Sequence, residues 1–568
     1  MTNCFTLRAG GMLRAGRRMS ILAAFLVAAS LVAMTVASQA VARKRKHLPS
    51  ALLVGEYHGK KGKYHSIQEA LAVAQEGDWI LIGPGDYKEA SATPVPDGVG
   101  DDRAPADILV TTPNIHIRGM DRNTVMIDGT KPGSPQCSSA EADQTFGAPE
   151  EGAYQGNNGV VVYKASGVTL QNFSTCNFLG SNAGGDSIWF DGGGATGKQE
   201  IGSWWGEYLS ATSTYWGGTD KPSDEYGVYA SNTTGPGYFV HTYANNMSDS
   251  GYYIGACPDC NATIDDGTAE GNDLGYSGSN SGGRVVIENS LFKNNEEGVA
   301  TQSQNNDDAP SPQDGLCAEG KPNPSPPPGA QRKNVCWVMI HNRVIENNNG
   351  ATPTSDGAPG LVGTGMTIAG GRNDLVVENT FAGNGAWGIV VLPYPGVQER
   401  PPPQIPAEDY CRGGIKAGEG ETETCDYEAY ENEIEGNTFA ANGGFGNPSN
   451  GDIGEVADPI PGTQNNCWHG NTEEGGGEPT SEPPLIQTTH GTCEQPNTGG
   501  EPASSVLAAQ AACDSRLVTE CPSGPGEEYP RSENVQLLPL PEQESMPNPC
   551  EGVPRLHNRW CRRGHPIR

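Results

Sequence analysis

Short apolar runs, each broken after a few residues by glycine or asparagine, fill most of this chain; only one stretch near the start has a helical period. There Ile67, Ala70, Leu71 and Ala74 fall at i, i+3, i+4 and i+7, a single apolar stripe. Ser66 and Glu69 form an S-x-x-E capping box ahead of it, and Gly77 stands where the helix should stop. The pattern therefore predicts one short helix, then a strand over Trp79-Ile80-Leu81-Ile82 and a turn at Pro84-Gly85. Further on, a unit N-x-x-x-x-N follows short β-rich runs five times: Asn172/Asn177, Asn289/Asn294, Asn342/Asn347, Asn379/Asn384 and Asn437/Asn442. An apolar residue sits inside each: Phe173, Phe292, Ile345, Phe381 and Phe439.

Glycines keep a second rhythm. Gly227, Gly251, Gly275 and Gly298 are 24, 24 and 23 residues apart, and Gly365 to Gly388 is again 23. A period of this length means stacked repeats. With coils about 4.8 Å apart, equivalent positions form columns, apolar inside and asparagine at the tight bends. The asparagines thus read first as structural. A composition with 78 glycines and 44 prolines leaves no room for long helices through the body.

The entry Tyr64-His65-Ser66-Ile67-Gln68-Glu69-Ala70-Leu71, Glu76-Gly77-Asp78-Trp79-Ile80-Leu81-Ile82, Pro84-Gly85-Asp86-Tyr87 closely resembles the start of the pectin-lyase-like β-helices. The resemblance continues through Asn114-Ile115-His116-Ile117-Arg118-Gly119 and Val125-Met126-Ile127-Asp128-Gly129. It implies an all-β, right-handed parallel β-helix whose first coil is capped by the short helix. No catalytic residue carries over. The chain has no G-H-G, R-I-K or D-P-H-D, and Arg284 and Arg372 each follow Gly-Gly as a repeated turn.

These signals divide the chain. Residues 1–42 read as a signal peptide, or an uncleaved anchor: Arg8, Arg14, Arg17 and Arg18 precede an apolar run, Ile21 to Val36, and small residues follow it. A basic linker occupies 43–62 and the solenoid 63–470, with loop inserts expected near 180–223, 305–333 and 393–429. Residues 471–568 form an irregular, disulfide-rich tail, partly disordered, with one short helix over Ser504 to Thr519. Of the 15 cysteines only Cys4 lies in the leader, so an even number remains, the pattern of a disulfide framework outside the cytoplasm. Cys257-Pro-Asp-Cys260 reads as a disulfide-tied turn; a zinc site would need a second such pair or two histidines nearby.

Charge narrows the partners. The formal net charge is −32, which repels nucleic acid and anionic membranes, and an acidic polysaccharide too unless calcium bridges the two. Membrane contact is expected only through an uncleaved leader. Two residues before each rhythmic glycine stand Glu225, Asp249, Asp273 and Glu296. If the register holds, these carboxylates stack roughly 5 Å apart. They are the candidate catalytic acids, with Asp249 and Asp273 as candidate calcium ligands; solvated polar residues before a turn are the alternative. Asp265-Asp266 and Asp307-Asp308 are further candidates. Trp204, Trp205, Trp216 and Tyr253 offer flat rings for sugar faces or for packing. The expectation is a polysaccharide-associated β-helix, either an enzyme (hydrolase, lyase or epimerase) or a non-catalytic binding or structural solenoid of the cell envelope.

Overall fold

A computed structural model of the chain describes residues 47–567 apart from internal segments, the longest being 303–330, 397–414, 457–464, 495–503 and 522–529. The leader, the start of the basic linker and Asp307-Asp308 lie outside the described residues. From Trp79 onward the coils place strands on three faces, and the strands of each face pair in parallel with their counterparts one coil away. The first face runs from Ala51–Val54 through Trp79–Ile82, His116–Gly119 and their successors to Cys467–His469. The second face runs from Gly85–Tyr87 to Thr472–Glu473. These two belong to one 21-stranded sheet, joined where Val168–Cys176 and Trp204–Thr212 span both faces; the third face is an 11-stranded sheet from Ala106–Val110 to Ser481–Glu482. Parallel crossovers take the right-handed sense, and the solenoid is a right-handed parallel β-helix.

The core is built of columns. Residues Ile80, Ile117, Leu170, Ile264, Ile287, Met339, Val376 and Ile434 follow the register along the inside of the first face, all essentially inaccessible. Burying each such side chain stabilises the fold by about 1.5–3 kcal/mol. The column breaks at Gly206, because Trp204 turns inward there and packs between Phe190 and Phe239, its ring centroid 4.9 and 4.5 Å from theirs.

Asparagines line the bends. Asn342, Asn379, Asn437 and Asn471 form one ladder; Asn272, Asn295, Asn347, Asn384 and Asn442 form another. In each rung the backbone N–H and the side-chain amide both donate to the next asparagine's Oδ1, and the amide also donates to a carbonyl one coil back. Such a rung leaves little of a buried amide unsatisfied. Asn289 and Asn294 belong to neither ladder: they hold the left-handed corner at φ 53° and 54°, and Ser290 and Asn295 take the ladder places.

The helix is shorter than its stripe, Ile67–Leu71, with Ser66 Oγ accepting from Glu69 N at 3.1 Å. Glu69 reaches back to His65 N, and Glu89 accepts from Ile67 N at 2.6 Å, so a distant acid supplies part of the cap. Residues 180–223 are not a loop insert. They carry the strands Asp186–Asp191 and Trp204–Thr212, a full coil with Ser187 where its neighbours have glycine. In 393–429 the strands Tyr394–Gly396, Ile415–Ala417 and Thr424–Tyr427 make a small antiparallel sheet.

The described parts of the tail are ordered. The helix Ser504–Asp514 seats Leu507 and Ala511 on Trp387 and Val390 of the third face. From Ser532 the chain runs as an extended strap back along the solenoid. It meets Gly350 and Ala351, then Asn246, Asn172 and Arg118, and ends on the first coil with Trp560 Nε1 donating to Lys60 O. Among the described residues, five disulfides join Cys137–Cys176, Cys257–Cys260, Cys467–Cys493, Cys513–Cys521 and Cys550–Cys561. They point to a non-cytoplasmic protein. No helix of the described residues is long and apolar enough to cross a membrane.

Candidate functional site

The expected acidic column exists but is covered. Glu225, Asp249, Asp273 and Glu296 each precede residues paired coil to coil, Tyr226, Ser250, Leu274 and Glu297. Glu225 is half-buried, and Asp249, Asp273 and Glu296 are buried. The described parts of 349–363 close over Asp273 and Glu296, and Ser355 N donates to Ser248 O beside Asp249. Thr352 and Thr354 hydroxyls donate to Glu296 Oε2, Gly360 N donates to Asp273 Oδ1, and Leu361 N donates to the neighbouring Glu297. Tyr226 donates to Asp249 at 2.9 Å. The open groove that an acid–base role requires is therefore not at this column. Nor do Asp249 and Asp273 join a ligand cluster. Among the described residues, three or more metal-ligating atoms converge only at Glu433/Cys467/His469/Cys493 and Asp128/Cys137/Cys176, where the cysteines are spent in disulfides. Cys257 and Cys260 are bonded to each other, the disulfide-tied turn.

The aromatic candidates separate. Trp204 is core, and Trp216 is half-buried. Tyr253 is buried in a ring cluster with Tyr226 and Tyr229, which continues to Trp189, stacked on Tyr229 at 4.9 Å. Trp205 alone of the four faces outward on an accessible sheet, its ring 4.6 Å from that of Tyr238 one coil away and tilted 38° to it.

That pair lies on the outer side of the first face, where strand alternation sends two columns outward. One runs Trp79, His116, Thr169, Trp205, Tyr238, Thr263, Val286; the other runs Arg118, Gln171, Glu207, Val240, Asp265, Glu288. Polar contacts tie them together. Arg118 lies over the Trp79 ring at 4.6 Å and donates to Gln171 Oε1, Gln171 donates to Glu207 at 2.6 Å, and Trp205 Nε1 donates to the same carboxylate at 3.3 Å.

Farther along stand Asp265 and Glu288, directly in register on adjacent coils and both half-exposed. Asn289 Nδ2 donates to Asp265 Oδ1 at 2.8 Å. Burial and then the charge of Asp265 push the Glu288 carboxyl up, with His341 opposing. The corner beside them carries two exposed pairs, His241 with Asp266 at 2.6 Å and His341 with Glu378 at 2.8 Å. Val335, Val338, Leu375 and Val377 form a buried apolar patch that ends the accessible stretch on one side; the hook of residues 550–561 ends it on the other. Arg284 is exposed on the same face, whereas Arg372 is buried over the Tyr430 ring at 4.4 Å.

No family model matches the sequence, and no curated protein matches it. Among solved structures the chain is similar to the A-module of an Azotobacter vinelandii mannuronan C-5 epimerase, with 12% identity over 72% of this chain and 94% of that one and a TM-score of 0.35. It is similar also to a rhamnogalacturonan lyase (11% identity, 81% and 98% covered, TM-score 0.32) and a pectate lyase (12%, 81% and 89%, TM-score 0.33). At these scores the likeness carries no argument about activity; the fold rests on the register of its own strands. The fold is a right-handed parallel β-helix. On this β-helix, sequence reasoning found Asp265 but missed Glu288, Glu207 and Tyr238. The only signal for Glu288 was its place immediately before Asn289, matching Asp265 one period earlier.

Proposed function

We propose that the protein works outside the cytoplasm on a polysaccharide laid along the outer first face, with Asp265 and Glu288 as its reacting carboxylates. The observation that carries this reading is the in-register, outward-facing pair on the same sheet as the neighbouring rings of Trp205 and Tyr238. Adjacent coils put the two backbones roughly 5 Å apart, within the range over which paired carboxylates cleave glycosidic bonds. The raised pKa of Glu288 suits a general acid that protonates the leaving oxygen. Asp265, oriented by the Asn289 amide, then serves as nucleophile or base. Trp205 and Tyr238 give sugar rings a flat apolar platform one to two coils from Asp265 along the axis, roughly 5–10 Å away.

The test is turnover by the full chain on plant, algal and bacterial polysaccharides, reading reducing ends and unsaturated products, with calcium and with chelator. Glu288→Gln and Asp265→Asn should each lower kcat at least a hundredfold while the fold persists, and Trp205→Ala should mainly raise KM. Full activity in both carboxylate variants would overturn the assignment. Retained binding without turnover in the parent chain would leave a carbohydrate-binding solenoid.

A further inference from the structure

The chain is strongly acidic, yet one end of it is not. Lys60, Lys61 and Lys63 lie in and beside the hairpin Glu56–Tyr57/Lys60–Lys61, and Arg555 and Arg559 lie on the hook that ends the strap, with Arg562 and Arg563 directly after it; all seven are exposed. None of them joins an ion pair among the described residues. The two segments form one surface. Trp560 is fully buried, its ring 5.8 Å from Tyr57 and its Nε1 donating to Lys60 O at 2.7 Å. Ala51 N donates to Leu556 O, and Cys550–Cys561 closes the hook. Against these cations stand Glu56 and Glu551 in the same stretches and Asp121 beside Tyr57. On a chain of net charge −32, seven fixed cations on one end make a local reversal of field.

We propose that this end is a docking surface for a carboxylate-bearing polysaccharide, which it hands onto the first face. The inference rests on the polysaccharide reading above and names the polymer class. Its second support is continuity. The hook packs on the outer side of the first face, where Val553 and Trp79 share one apolar cluster with Trp560. Trp79, stacked on His116 at 4.2 Å, begins the column that leads to Trp205 and Tyr238. Guanidinium groups present forked donors that match a carboxylate. A single glycan strand is narrow enough to touch the basic end and this ring column alone. A nucleic-acid duplex or a bilayer would also face the acidic flanks.

The experiment is retention of the full chain on immobilised polygalacturonate and on its methyl-esterified form, in chelator, at low and high salt. Retention on the acid form should fall at least tenfold in high salt, on esterification, and in the variant R555Q/R559Q/R562Q/R563Q, whose fold is checked by circular dichroism. K60Q/K61Q/K63Q serves as a second variant should the first not fold. Equal retention on both polymers, unchanged in the variants, would overturn this proposal and leave the polysaccharide reading standing. Retention that needs calcium and ignores the arginines would also overturn it, as would arginine-dependent self-association or capture on phosphatidylglycerol vesicles without glycan binding. No binding to any polysaccharide, charged or neutral, would overturn both.

Discussion

Asn379 shows how much of this fold hangs on single side chains. Its N–H and amide donate to Asn437 Oδ1 at 2.9 and 3.0 Å, its amide to Met339 O at 2.9 Å, and its own Oδ1 accepts from Asn342 N and Nδ2 at 2.8 and 3.0 Å. Alanine there takes the partner from the Asn342 N–H and amide and from Met339 O, buried groups of the preceding coil, each worth about 1–3 kcal/mol when left unpaired. Asn379→Ala should therefore destabilise by about 3 kcal/mol or more. Asn289→Ala, at an exposed corner with one bond to Asp265, should stay within about 1 kcal/mol. Denaturant midpoints of the two variants decide it; equal shifts would mean the ladder carries no special share. In the sequence these two asparagines look alike, because the spacing N-x-x-x-x-N is blind to the sign of φ. What separates them is the apolar residue between: Phe381 stands two places after Asn379, Phe292 three after Asn289, a slip of one that exchanges ladder for corner.

Among the elements, the glycine column sets how closely coils approach. At Gly365 a Cβ would sit 2.5 Å from Gly388 O and 2.8 Å from Asn384 Nδ2, whereas at Gly444 it would meet nothing within 4 Å. Gly365→Ala should lower the thermal midpoint by several degrees through a forced backbone shift, and Gly444→Ala should leave it unchanged or raise it slightly. Scanning calorimetry of the pair gives the answer, and tolerance at Gly365 would mean the coils can spread. The periodic part of the fold was legible because this packing leaves a mark at every turn. The coil built by Asp186–Asp191 and Trp204–Thr212 was not, since Ser187 and an inward Trp204 replace the usual residues. The candidate site was legible only in part. Stacking of Glu225, Asp249, Asp273 and Glu296 follows from local period, but the cover over Asp273 and Glu296 comes from 349–363, more than fifty residues beyond Glu296 at its contacts with Thr352 and Thr354. No local pattern announces a contact of that range.

For the molecule as a whole, the buried acids set the dependence of stability on pH. Burial pushes the Glu297 carboxyl up to about 8, the Asp107 carboxyl up to about 7 despite a hydrogen bond from Asn157, and the Glu455 carboxyl up to about 7 despite bonds from Asn466 and Trp468. A carboxyl whose folded pKa is raised holds its proton in the native state after the unfolded chain has lost it. Its contribution is therefore complete below the unfolded value near 4 and is lost as pH rises through the folded value. His469, raised chiefly by its hydrogen bond with Glu433, acts in the same direction. Glu433 runs the other way: burial would raise it, but bonds from His469 and from the N–H groups of Gln331 and Arg332 win, so its share is lost on acidification. His116, pushed down to about 4 by burial and then the charge of Arg118, and His490, lowered by burial, also oppose below the unfolded histidine value near 6.5. The raised groups therefore give a stability that falls most clearly from about pH 6.5 to pH 8. Urea unfolding across that range, repeated on Glu297→Gln, measures it. The variant should flatten the slope, because its amide has no proton to lose, and a parent whose stability rises with pH would mean that these carboxylates are charged in the folded protein and held by a positive partner.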